Sequence, residues 1–189
     1  MILRVPTRPE WTAAVLGDLD AFLLDHAANE RKASASALAL VAHYPDRSEL
    51  VRGCIDLAIE ELEHFRAVHR WIDARGLLLG PDTKSEYLRG LAAGFRDGSG
   101  PYFLDRLLTA AIVEARGCER FGLLAAALPD GELREFYREL ARSEVRHHET
   151  YIALARAYFD AREAEERLDA LLDAEARLIE SLPVRPALY

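Results

Sequence analysis

Four stretches of this chain space their apolar residues alternately three and four apart, and each sets a glutamate into the apolar seam. One seam runs Leu50, Cys54, Leu57, Glu61, His64, Val68, Trp71, and another runs Leu133, Tyr137, Leu140, Glu144, His147, Tyr151, Leu154, Tyr158. A third reads Leu104, Leu107, Ala111, Glu114, Cys118, Phe121, Ala125, Leu128, and a looser one reads Leu23, Ala27, Glu30, Ser34, Ala37, Val41. The spacing is that of helices burying one stripe. A carboxylate left uncompensated in such a stripe costs several kcal/mol or takes up a proton, so acids at four matched levels call for cations.

Two of the seams carry Glu-x-x-His, and residues three apart project from one helix face, so each pair offers one carboxylate and one imidazole. A single such pair is common on a solvated helix face; two pairs inside seams are not. The spacing repeats as well: 83 residues separate Glu61 from Glu144 and His64 from His147, and 84 separate Glu30 from Glu114. Each half therefore reads as a helix hairpin giving Glu, then Glu-x-x-His, with the halves packed as a pseudo-twofold pair. Six ligands on four helices suit two iron ions, less often manganese: Glu30 and His64 on one, Glu114 and His147 on the other, Glu61 and Glu144 bridging. Such a centre reduces dioxygen or peroxide with electrons from an external donor. Glu60, Glu63 and Glu149 fall off the seams and read as solvated, while His69 and His148 read as surface or rim residues.

The helices are expected from Pro9 or Trp11 to Tyr44, Ser48 to Ala74, Tyr102 to Leu128, Glu132 to Phe159 and Arg162 to Leu182, with a short helix from Lys84 to Phe95 in the long connection. That connection is the crossover of a ferritin-like bundle. The fold class expected is all-α: a ferritin-like four-helix bundle with a long crossover and an added C-terminal helix. At 189 residues with 50% hydrophobic content, residues 1–189 suffice for a single domain with one core. A net charge of −8 gives no overall drive toward nucleic acid, so any RNA contact needs a local basic patch. The segment "MILRVPTRPEW" has no apolar core ahead of its prolines, and no run approaches the ~18 apolar residues of a membrane span. A cytoplasmic protein without membrane contact is expected, as monomer or dimer. Two cysteines are too few for a rubredoxin-like iron site.

The stretches "LDRLLTAAIVEARGCERFGLL" and "LREFYRELARSEVRHHETYIALA" closely resemble the tRNA hydroxylase family MiaE, with Gly117 where the family's EARSCERF-type motif has a serine. "LLDHAANERKASASALAL" and "AIEELEHF" look like its other ligand helices, and all six ligand positions match. The resemblance implies a non-haem di-iron monooxygenase that uses dioxygen and two external electrons, delivered by an electron-transfer protein. It implies as substrate the isopentenyl side chain of the 2-methylthio-isopentenyl-adenosine beside a tRNA anticodon. Arg31, Lys32, Arg66, Arg70, Arg116, Arg120, Arg142 and Arg146 lie within about two turns of a ligand and could form a basic rim. Arg116 and Arg120 lead because the family motif contains them, with Arg31 and Arg146 next. Cys118, one turn after Glu114, is expected to lie beside the metals and influence the oxidant. The alternative function is a ferritin-like ferroxidase or peroxidase acting on iron or peroxide; an apolar pocket with a basic rim would separate the first reading from this one.

Overall fold

The computed structural model describes residues 3–189, and every regular element among them is a helix. The expected first helix is two, α1 (Pro9–Gly17) and α2 (Leu19–His43), because Asp18 turns out of the helix and accepts a hydrogen bond from the Ala21 amide, capping α2. The other helices are α3 (Ser48–Ala74), α4 (Glu86–Ala92), α5 (Ser99–Ala127), α6 (Glu132–Tyr158) and α7 (Ala161–Ser181). Their ends lie close to the positions read from caps and breakers. None is long and apolar enough to cross a membrane.

The described chain divides into two compact units. One takes Ala13–Thr83 and Arg185–Leu188; it is the α2–α3 hairpin. Leu23, Ala27, Ala37 and Leu40 of α2 and Leu50, Cys54, Leu57, Val68 and Ile72 of α3 are buried, and the Ser34 hydroxyl donates to the Ala58 carbonyl across the pair. Helix α3 stops in a Schellman motif. Gly76 takes the left-handed conformation at φ +68°, its amide bonds the Asp73 carbonyl, and the Leu77 amide bonds that of Ile72. The segment that follows is fastened to α2, where Arg31 pairs with Asp82 and the Lys32 ammonium donates to the Thr83 carbonyl at 2.8 Å.

The second unit takes the described residues up to Thr12, then Lys84–Val184 and Tyr189. Here α5 and α6 form the hairpin, with Phe121 and Tyr137 rings 5.7 Å apart in its core. Helix α7 packs on α4 and α5, with Ile179 against Tyr87 and Leu91. Two buried carboxylates join it to α5 as well: Asp105 accepts from Arg167 at 2.7 Å and from Arg96 at 2.8 Å, and Glu175 holds Arg116.

Candidate metal centre

In the α2–α3 unit the alternating seam brings three of the expected ligand residues to one level. Glu30 and Glu61 are buried, and His64 keeps 15% of its side chain exposed. The His64 Nδ1 lies 3.6 Å from the Glu30 Oε2 and 3.6 Å from the Glu61 Oε2. These separations exceed a hydrogen bond. They are close to what a shared ion requires, since two donors each about 2.1 Å from it and subtending about 90–110° stand about 3.0–3.4 Å apart. Burial alone would push the Glu30 carboxyl up, yet the adjoining His26 imidazole, helped by His64 and Glu61, lowers it to about 2.

The α5–α6 hairpin carries the second set. Glu114, Glu144 and His147 are all buried, and the His147 Nδ1 lies 3.4 Å from the Glu144 Oε2 with only 2% of the imidazole exposed. Again the spacing suits coordination better than a hydrogen bond. Carboxylate oxygens and imidazole nitrogens form a donor set for a first-row metal ion, and in each unit the residues present fit one.

The surrounding residues differ from the sequence reading in several places. Arg116 has no exposed surface: its guanidinium grips Glu175 with Nε at 3.0 Å and Nη2 at 3.1 Å, meets Glu119 at 2.5 Å, and donates to the Val5 carbonyl at 2.8 Å. Arg120 is buried too, 5.1 Å over the Trp11 ring and with Nε 3.4 Å from the Thr7 hydroxyl. Neither can stand on a basic rim, because each guanidinium is already enclosed by protein groups. Arg31 and Arg146 are exposed, the first paired with Asp82 and the second donating to the Ser143 hydroxyl on its own helix. The Cys118 thiol donates to the Ala141 carbonyl of α6 at 3.3 Å, and burial, with Glu144 and Glu119 nearby, pushes its pKa up. His148 is not a rim residue but a buried donor to the Ala111 carbonyl at 3.0 Å.

Three features escaped the sequence reading. His26, buried one turn before Glu30, touches that carboxylate at 2.5 Å; its place four residues before Glu30, beside the seam, was the available signal. Glu175 looked like one more acid on a charged helix, and only its partner, 59 residues away, reveals it. Gly117 is explained by Tyr189, whose hydroxyl would lie 2.8 Å from a Cβ at that position and donates to the Val113 carbonyl. A serine there would push the phenol aside.

Comparison with known proteins agrees with this geometry. The profile of the family described as tRNA-(MS[2]IO[6]A)-hydroxylase (MiaE) matches residues 1–189. The chain is 37% identical over 179 residues to the tRNA 2-(methylsulfanyl)-N(6)-isopentenyladenosine(37) hydroxylase of Pseudomonas putida, covering 95% of this chain and 87% of that one. Identity to the Salmonella typhimurium protein of the same name is 37% over 131 residues, 69% of this chain and 48% of that one. Among solved structures, a Synechococcus protein with aldehyde deformylating oxygenase activity superposes with a TM-score of 0.92 at 38% identity, covering 97% of this chain and 92% of that one. The fold is accordingly all-α and ferritin-like.

Proposed function

Because the chain belongs to the MiaE family of tRNA hydroxylases, we propose that its two ligand sets close on one di-iron centre that hydroxylates the isopentenyl group of 2-methylthio-isopentenyl-adenosine in tRNA. Glu61 with His64 and Glu144 with His147 are the two Glu-x-x-His pairs of this centre, Glu30 and Glu114 its remaining carboxylates, and residues 1–189 its single domain. The observation that carries the reading is the repeated Glu-x-x-His spacing, with imidazole and carboxylate 3.4–3.6 Å apart in a buried seam of each unit. When bound, the metals supply reduction of dioxygen two electrons at a time: substrate C–H, dioxygen, two electrons and two protons give the alcohol and water.

The protein's own residues hold and exclude. Burial of Glu30, Glu61, Glu114, Glu144 and His147 keeps water from competing for the oxidant. His64 is the most exposed of the six, so the reacting side chain approaches from its side. With Arg116 and Arg120 enclosed, the exposed Arg31 and Arg146 contact RNA phosphate. An external electron-transfer protein delivers the electrons. The likeness to an aldehyde-deformylating oxygenase supports oxygen chemistry on an organic substrate over the ferroxidase or peroxidase alternative.

Nucleoside analysis of tRNA from cells with and without this gene tests the substrate. The hydroxylated isopentenyl nucleoside should vanish on deletion and return with the gene. An unchanged nucleoside profile would refute the assignment, and deformylation of an aldehyde by the purified protein would replace it.

A further inference from the structure

We propose that the outer face of the α2–α3 hairpin docks a second copy of this chain, whatever the substrate of the metal centre. Successive residues of α3 turn by about 100°, which places Ile55, Ile59 and Leu62 roughly 100–160° around the helix from Glu61. They stand on the side away from the ligand seam. Their exposures are 42%, 54% and 48%, and Leu38 of α2 is 48% exposed. The Ser34–Ala58 hydrogen bond sets the level of the two antiparallel helices, and Leu38 and Ile55 each lie one turn from it in the same direction. The four side chains therefore form one patch, with the exposed Ala35 and Ala42 beside it. A contiguous apolar patch of this kind marks a contact surface.

The repeat within the chain shows that the hairpin itself does not require this patch. An offset of 83 residues takes Ile55 to Arg138 and Ile59 to Arg142, so the second hairpin carries arginine where the first carries isoleucine; only Leu62 keeps an apolar counterpart, Val145. The charges around the patch indicate what covers it. Among the exposed residues of α3 from Glu49 to Arg70, the cations Arg52, Arg66 and Arg70 balance the anions Glu49, Asp56 and Glu63. RNA is drawn to net positive charge, which this face lacks. A second copy matches it, because two chains of net charge −8 repel least where each is locally neutral and can set its arginines against the acids of the other. The size agrees as well. Helices of 25 and 27 residues, at about 1.5 Å per residue and about 10 Å in width each, present roughly 750 Å² side by side, close to the ~800 Å² per partner of a standard interface.

Light scattering after gel filtration, with sedimentation equilibrium for the dissociation constant, reads the docking without turnover. The wild type should weigh about 42 kDa at micromolar concentration, twice the 21.2 kDa of one chain. Ile55→Arg/Ile59→Arg writes the second hairpin's own residues into the first, so the helix should fold. In a twofold contact each substitution counts twice, and four arginines placed in an apolar interface should raise the dissociation constant at least about 100-fold, leaving the monomer. The exchange also lowers the net charge from −8 by two, so general repulsion between chains falls and the loss must come from the face. Leu123→Arg, at an exposed position of α5, should leave the dimer intact. Should the arginine pair fail to fold by circular dichroism, Leu62→Gln, which keeps helix propensity, should raise the constant about 10-fold. A wild type that stays monomeric at the highest attainable concentration would overturn the docking, as would a dimer that neither exchange weakens. A monomeric wild type in which the arginine pair changes affinity for a tRNA anticodon stem-loop would overturn it too, and would give the face to RNA. A dimer dispersed by the arginine pair, in a protein that leaves tRNA unmodified, would support the docking while removing only the proposed substrate.

Discussion

Replacing Glu175 with glutamine tests whether Arg116 belongs to the scaffold or to the RNA interface. The exchange preserves volume but turns one oxygen acceptor into an amide donor facing the Arg116 fork, whose Nε and Nη2 now reach the two carboxylate oxygens at 3.0 and 3.1 Å. Both partners have no exposed surface, so water cannot fill the gap. Each charge-assisted hydrogen bond contributes about 1.5–3 kcal/mol, and breaking one side of a buried pair costs about 3–5 kcal/mol. Glu119, only a quarter exposed and 2.5 Å from the Arg116 Nη1, remains to compensate part of the charge, which sets the expectation near the lower end, about 3 kcal/mol. For a chain of this size each kcal/mol moves the midpoint by about 2–4 °C, so a loss of roughly 6–12 °C should appear in thermal unfolding by circular dichroism. Removing both charges in Arg116→Met/Glu175→Leu should recover part of it, because no fully buried ion is then left, and Glu119, which loses its arginine, is a quarter exposed and still accepts from Thr7. A midpoint for Glu175→Gln within about 2 °C of wild type would refute the argument that this pair fastens α7 to α5.

Glu144→Ala should lose at least one of two metal equivalents, read by elemental analysis, while the isolated helical content stays unchanged. Arg146→Gln should weaken tRNA turnover more than turnover of the isolated nucleoside, and should make the salt dependence of tRNA binding shallower by about 0.7–0.9 in log–log slope, the loss of one phosphate contact. Cys118, whose thiol is held protonated by burial, should react with iodoacetamide at pH 8 more slowly than a free cysteine peptide, followed by mass spectrometry. Burial pushes the Asp105 carboxyl up, but Arg167 and Arg96 hold it below its ordinary value of 3.8; its stabilising effect is therefore full above that value and lost as pH falls further. Asp105→Asn should accordingly flatten the acid limb of a stability-against-pH curve below about pH 4.

What could be read ahead of the structure depended on how far each interaction reaches along the chain. The alternating seams predict their own burial because helix periodicity is local, and Glu61 with His64 or Glu144 with His147 are neighbours within one turn. Helix ends followed for the same reason, except where Asp18 divides the first helix, a side chain competing with the backbone inside an otherwise continuous apolar pattern. The arginines were misjudged for the opposite reason. Arg116 and Arg120 sit in a motif beside a proposed ligand, which suggested a role toward substrate, but apart from Glu119, one turn after Arg116, their partners include Thr7, Val5 and Glu175, remote in sequence and invisible to any spacing argument. The same "EARGCERF" segment thus mixes two jobs: Glu114 is the proposed metal ligand, and Arg116, two residues on and paired with Glu175 of α7, secures the helix that presents it. If that division holds, substitutions of Arg116 should reduce activity in proportion to lost folded protein, with the rate per bound metal unchanged. A fall in that rate without loss of stability or metal would return Arg116 to the site.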